Sequence, residues 1–395
     1  MEVLIIIPYQ NIYPPLNGGM KRCFHVLNQL SLYHQVTALT FQEPSKFESA
    51  AVIYPGIRTV KFFSPTRNKV LWGSNMFISR LINAVRFRWY IRRIKGPTDS
   101  NFIMYYGILR SLLDKEKYDC IVLENLATIN AIPVIRRMQR KVKIIYDAHN
   151  FDTELASGKH LKSIAQREAA LYKDVEEIWT CSKRDKDAFE AANKFRINCR
   201  IVPNGIELGQ LHNKGIFLDN PLNILFVGSL DYLPNREGLI WFIDNCWEQF
   251  LKKIPGLTMS IIGSGAMDEH TKNKIDKSGI LSYGKVEAVE PYYNKAGIVI
   301  VPILSGSGTR LKVLEAMSFG VPVLSTAKGA EGIDYVEDRD IVIADLPELF
   351  IKKAISLLTN KDKRIRVSGA GRKLVQNYYD WEKIGKQLFK SLNTY

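Results

Sequence analysis

Residues 301–333 constrain the fold more than any other stretch of this chain. VPILSGSGTRLKVLEAMSFGVPVLSTAKGAEGI runs from an apolar strand through a glycine-rich turn into a helix, then back into an apolar strand. The same order recurs elsewhere. Residues 3–7 form an unbroken apolar run, as a strand covered on both faces should. Helical spacing follows over residues 21–33, with Cys23, Val26, Leu27 and Leu30 on one side. Further short runs rich in β-branched or aromatic residues lie at 36–41, 59–63, 120–123, 142–146 and 177–180. The pattern restarts at 223–227, with a helix expected over 236–251 and strands at 258–262 and 298–302. Strands alternating with helices imply a parallel, doubly wound sheet. Residues 202–220 contain Pro203, Gly205, Gly209 and Gly215 without clear periodicity and read as a linker. The expected fold is therefore α/β, with Rossmann-like domains at 1–205 and 218–375 facing across a cleft. A helix at 376–395 is expected to return toward the N-terminal domain.

Composition narrows the class. The chain has 395 residues, 46% of them apolar and 24% charged, enough for two large cores. No apolar run approaches the roughly 20 residues that span a bilayer. The start, MEVLIIIPYQ, lacks a basic region and is expected to be a buried strand rather than a signal peptide. Five scattered cysteines without CxxC spacing argue against a disulfide framework or a zinc site and for a reducing compartment. The net charge of +15 favours polyanionic partners. Part of it is local: residues 67–95 hold Arg67, Lys69, Arg80, Arg86, Arg88, Arg92, Arg93 and Lys95 with no acid, interleaved with Trp72, Phe77, Phe87, Trp89 and Tyr90. Such a segment suits an anionic membrane surface. The expected location is cytoplasmic, peripheral on the inner face of the plasma membrane.

The glycine turn at 305–309 has its own chemistry. A helix N-terminus presents free N–H groups and the positive end of the helix dipole, and so attracts anions. Arg310 and Lys312 add two cations there, an unfavourable placement for a helix start unless an anion sits nearby. That combination suits a diphosphate. Glu315 lies one turn on, among Val313, Leu314, Met317 and Phe319, where an unpaired carboxylate would be costly. Gly18 and Gly19 follow the first strand and open the first helix, so their backbone can approach a ligand closely. His149 follows a strand in YDAHN, at the sheet edge where ligands of open α/β folds bind. Its neighbours Asp147 and Asn150 are weaker site candidates, the alternative being that they hold the turn through side-chain-to-backbone bonds; Glu154 is weaker still.

Six segments in order carry a resemblance: YPPLNGG, YDAHN, VPNGIEL, FVGSLDYLPNREGLIWF, IIGSG and SGSGTRLKVLEAMSFGVPVLST. Together they resemble the retaining GT-B glycosyltransferases, glycosyltransferase family 4 (glycosyl transferases group 1), over nearly the whole length. The resemblance implies a role for His149 at the donor sugar or catalytic centre; Arg310 and Lys312 join it as catalytic candidates on the helix-start argument above. It implies nucleotide-sugar contacts at Gly18, Gly19, Gly228, Ser229, Gly284, Val286, Ser307, Gly308, Thr309, Leu311 and Glu315. Glu315 matches the second glutamate of the family's E-x7-E motif, which binds the ribose; the first falls on Ser307, which supplies no carboxylate. Where many members carry an arginine after VG, this chain has Ser229, and Arg236 is the nearest cation. Arg310 and Lys312 are expected to take over the phosphate clamp. Lys328 is offset by Glu331 and has no expected part in it.

The implied reaction transfers a sugar from a nucleotide-diphosphate donor to an acceptor hydroxyl with retention, the acceptor being a lipid-linked or surface-polysaccharide glycan. Fixed cations make a metal unnecessary, so neither metal nor further cofactor is expected. Partners are the donor, a glycan or glycolipid acceptor and an anionic membrane, with no nucleic acid. Two alternatives stand beside this: a catalytically inactive GT-B scaffold, kept open by Ser307, and a basic nucleic-acid-binding protein. A nicotinamide-dependent dehydrogenase is disfavoured, since no GxGxxG follows the first strand.

Overall fold

The computed structural model describes residues 1–8, 12, 13, 15, 17–40, 60–63, 100–208, 222–265, 268–306 and 308–393. The basic stretch at 67–95 and Ser307 lie outside the described residues. The chain divides into two units. One comprises Met1–Pro203 and Gly385–Tyr395, the other Asn204–Ile384.

Among the described residues the first unit holds seven strands: β1 (Glu2–Ile6), β2 (Gln35–Leu39), β3 (Val60–Phe63), β4 (Cys120–Glu124), β5 (Lys143–Ala148), β6 (Glu177–Thr180) and β7 (Asn198–Ile201). All pair in parallel, in the order β3-β2-β1-β4-β5-β6-β7. Val3, Leu4, Ile5 and Ile6 of β1 are all buried, so helices cover both faces of the sheet centre, as a parallel sheet requires. Strand order reverses between β1 and β4, where Val3 stands level with both Val36 and Cys120. That reversal is the point at which folds of this kind bind ligands, beyond the carboxyl ends of the strands.

The second unit repeats the plan with β8 (Asn223–Val227), β9 (Thr258–Ile262), β10 (Leu281–Ser282), β11 (Ile298–Val301), β12 (Val323–Ser325) and β13 (Val342–Ile343), in the order β10-β9-β8-β11-β12-β13. Alternate residues feed opposite cores. Ile224, Phe226, Ile261 and Ile300 join one cluster; Leu225, Ile262, Val299 and Val301 join the other. The switch point here lies between β8 and β11.

Two differences from the sequence reading concern elements. The helix expected over 236–251 begins earlier, at Leu233, because Pro234 suits a first helical turn. It then passes through a π turn (Ile243–Trp247) before ending as Glu248–Lys253. The wider turn accompanies the burial of Trp247, whose indole N–H donates to the Ser278 carbonyl at 2.8 Å. The short strands β7 and β10 carry no apolar run to announce them, whereas β13 lies in the apolar run at 341–344, which the sequence reading passes over; each of the three forms an edge of its sheet. The segment Gly385–Tyr395 completes the first unit: Phe389 packs on Tyr33 with ring centres 4.6 Å apart, and Leu388 and Leu392 are buried.

Candidate functional site

In the second unit, the loops that leave β8 and β11 meet at the switch point. The β11 loop turns at Gly306 and Gly308, whose φ angles of 86° and 83° lie in the left-handed region that favours glycine. It leads into the Leu311–Ser318 helix with Arg310 as the capping residue. Arg310 is buried, and its guanidinium donates to the Ser305 carbonyl at 3.1 Å. Lys312 is partly buried. Its ammonium donates to the Asn235 carboxamide oxygen at 2.7 Å and lies 5.1 Å from the centre of the Phe226 ring. Burial, with Arg310 adding to it, pushes the Lys312 amine down to about 7. Glu315 accepts from the Tyr293 hydroxyl at 2.9 Å, and Tyr293 stacks on Phe319.

The other expected nucleotide contacts surround this turn or end neighbouring strands. Gly228 donates to the Ile262 carbonyl at 2.8 Å, and Ser229 presents its carbonyl to the Asn235 amide at 2.7 Å. The Thr309 hydroxyl lies against Gly332, Leu311 packs on the core behind it, and Gly308 is half-buried. Gly284, with φ at 66°, accepts from the Gly263 amide at 2.9 Å, and Val286 packs on the same core as Leu311. Arg236 is drawn away by Asp268 at 3.4 Å, and Lys328 pairs with Glu331 at 2.6 Å. Arg310 and Lys312 are thus brought to one helix end with Asn235, whose part the sequence does not announce.

In the first unit, Gly18 and Gly19 open the Gly18–Ser31 helix behind an Asn17 cap whose side chain accepts from the Met20 amide. Two residues further on, Arg22 turns inward. Its Nε lies 3.0 Å from Asp147 Oδ2, and its Nη1 donates to the Val202 carbonyl at 2.8 Å. Both partners of the pair are fully buried. Of the two readings of Asp147, turn-holding is not the one its carboxylate takes: it holds an arginine 125 residues away. The neighbouring loop is ordered by Glu168, which accepts from the Asp152 and Thr153 amides at 2.8 and 2.9 Å. Glu154 pairs with Arg184 at 2.6 Å in an exposed position.

His149 sits at the end of β5, with Nε2 2.8 Å from the Glu124 carboxylate at the end of β4. Cys23 donates its thiol to the same carboxylate at 3.2 Å. Burial pushes the imidazole down to about 4, so it is neutral at physiological pH. Among the described residues, Cys23, Glu124 and His149 bring three donor atoms close enough to share a metal ion. The Cys23 thiol and the His149 ring both reach the Glu124 carboxylate, so the three form a hydrogen-bonded trio; burial, followed by the Glu124 charge, pushes the thiol up, and the Arg22 guanidinium lies beside the group. Arg22 and Glu124 escaped the sequence reading; the one trace of the pair is an arginine on the apolar side of a helix, next to Cys23 and Phe24.

Comparison with known proteins gives three kinds of likeness. Residues 221–360 match the family model described as Glycosyl transferases group 1. An "uncharacterized 44.6 kDa protein in cps region" of Klebsiella pneumoniae is 29% identical over 175 residues, 42% of this chain and 45% of the relative. An "uncharacterized glycosyltransferase" of Haemophilus influenzae is 24% identical over 217 residues, 51% of this chain and 57% of the relative. The chain thus spans about half the length of the curated relatives it matches. Among solved structures, HepE of Anabaena in complex with UDP is 12% identical with a TM-score of 0.71, covering 100% of both chains. At that identity the likeness concerns the fold, which is that of GT-B glycosyltransferases.

Proposed function

We propose that this chain is a retaining glycosyltransferase that moves a sugar from a nucleotide-diphosphate donor to an acceptor hydroxyl. The observation that carries the reading is the pairing of Arg310 and Lys312 at the start of the Leu311–Ser318 helix, beside the β8/β11 switch point. Two cations at the positive end of a helix dipole repel one another and the dipole; an anion relieves both. The segment 221–360, which matches Glycosyl transferases group 1, contains all of these residues and so supports the choice of diphosphate donor.

The barrier in such a transfer lies in breaking the bond between the sugar and the diphosphate. Negative charge grows on the leaving oxygens. Arg310, protonated Lys312 and the first amides of the helix stabilise that charge more in the transition state than in the bound donor. With fixed cations in this role, the reading assigns no resident metal. Glu315, held by Tyr293, accepts from the ribose hydroxyls. Neutral His149 and the Gly18–Gly19 turn serve the donor sugar and the acceptor. A relative named from a cps region supports a surface-polysaccharide or lipid-linked acceptor, and the basic segment at 67–95 is assigned to the anionic membrane that carries it.

Calorimetric titration with UDP, GDP, ADP and TDP, and with the corresponding sugars, tests the reading. One nucleotide should bind, and Arg310→Ala should weaken it about 10- to 100-fold, since a hydrogen bond to a charged group contributes about 1.5–3 kcal/mol. No binding of any of the four, at millimolar concentration, to protein shown to be folded would overturn it.

A further inference from the structure

Asn235 has no part in the reading above, yet its side chain touches the clamp directly. It lies just behind Pro234 in the first turn of the Leu233–Phe242 helix and is 6% exposed. A buried carboxamide demands partners for both its ends. Its amide nitrogen donates to the Ser229 carbonyl at 2.7 Å, and its oxygen accepts from the Lys312 ammonium at 2.7 Å. One planar group therefore ties the β8 loop to the helix that follows β11. Gly228 fits the same arrangement. A methyl group there would lie 2.5 Å from Lys312 Nζ and 2.8 Å from the Asn235 nitrogen.

We propose that Asn235 is the positioning residue of the diphosphate clamp, its carboxamide holding the Lys312 ammonium at the β8/β11 switch point in the orientation that receives the anion. The inference rests on the donor reading above and goes beyond it by making the lysine's charge depend on a neutral neighbour. Among the described residues, four groups act on Lys312. Phe226 offers a ring face from β8, Arg310 opposes its charge from the turn, Glu315 favours it from its own helix, and Asn235 supplies an oxygen. Phe226 alone would leave the partly buried ammonium short of acceptors. Removing the Asn235 oxygen disfavours the charged form; replacing the amide by a carboxylate favours it.

This predicts opposite displacements in one measurement. Affinity for UDP is titrated from pH 6.5 to 9.5, above the last ionisation of the phosphate near pH 6. In the wild type, affinity should fall with rising pH by up to about tenfold per unit once free Lys312 loses its proton, because binding then takes up that proton. Asn235→Ala should move the onset of the fall to lower pH and weaken binding. The near-isosteric Asn235→Asp should move the onset to higher pH, while its added negative charge lowers affinity at every pH. Circular dichroism and urea melts establish that each variant is folded. A merely structural role for Asn235 would weaken binding without moving the onset, and an unmoved onset in folded Asn235→Asp overturns the proposal. Absence of UDP binding by the wild type, with another nucleotide binding in its place, transfers the same titration to that nucleotide. Absence of all nucleotide binding overturns the donor reading itself, and the proposal with it.

Discussion

Lys312 is where ligand binding and folding pull in opposite directions. In an unfolded chain a lysine titrates near 10.4; in the folded protein burial, reinforced by Arg310, brings Lys312 down to about 7. Between those values the unfolded chain holds a proton that the folded chain lacks, so stability rises with pH across the window and is lost as pH falls toward 7. Lys312→Met keeps the stem and removes the charge. In urea denaturation without nucleotide, the wild type should gain stability from pH 7 to 9.5, and the variant should gain less. The variant should also exceed the wild type at pH 7 while no longer binding the donor. Parallel pH profiles for the two proteins would show that this lysine is not the source. Residues of this kind were legible because their oddity is local: cations at a helix start, a carboxylate among apolar neighbours. Arg22 and Asp147 were not legible as a pair, because an arginine on the apolar side of a helix hints at a buried partner without naming it. Only the fold closes the 125 residues between them and turns two buried charges into a pair.

At the scale of elements, glycine spacing fixes how closely helix and strand approach. Gly238 lies in the Leu233–Phe242 helix, and a methyl group there would stand 2.1 Å from the Pro302 carbonyl oxygen, where the chain leaves β11 toward the clamp. The neighbour is backbone, not the end of a flexible side chain, so the conflict is relieved only by moving the helix or the β11 loop. Gly238→Ala should therefore destabilise by about 1–3 kcal/mol, against the slight gain expected of alanine in an open helix. It should also weaken nucleotide binding, since the same helix carries Asn235 and the same loop carries Arg310. Denaturant melts together with UDP titration check both effects; full retention of stability would show that the contact is slack. The strands and helices flanking this site announced themselves through apolar runs and 3.6-residue spacing. Of the edge strands, β3 is marked by the run at 59–63, while β7 and β10 carry no such signal. Leu281 and Ser282 of β10 are both exposed, so no burial pattern marks them, and their pairing is set by β9 alone. The π turn at Ile243–Trp247 was invisible for another reason. A helix that widens by one residue keeps an amphipathic pattern, and only the packing of Trp247 shows the change of phase.

At the scale of the molecule, one of the two units is discontinuous in the chain. The first unit is built from Met1–Pro203 but is finished by Gly385–Tyr395, after the second unit has been threaded between. What those last residues contribute is specific. Leu388 and Leu392 are buried, Phe389 packs on Tyr33 and His34 at the end of the first helix, and Gly385 lies so close to the Gln29 side chain that a methyl group there would meet it. Each fully buried leucine stabilises by about 1.5–3 kcal/mol, so the terminal segment contributes a sizeable fraction of what holds a domain of this size. The consequence is asymmetric. Ending the chain after Ile384 should leave the β8–β13 sheet intact and loosen the β1–β7 sheet. Amides of β1 and β2 and of the Gly18–Ser31 helix should then lose hydrogen-exchange protection, while those of β8, β9 and β11 keep theirs. Affinity for UDP should survive the truncation, because Arg310, Lys312, Asn235 and Glu315 all belong to the second unit. Sugar transfer should fail, because His149 and the Gly18–Gly19 turn belong to the first. Equal loss of protection in both sheets would mean that the two units do not fold as separate cooperative bodies, and the assignment of nucleotide capture to one and acceptor chemistry to the other would lose its structural basis.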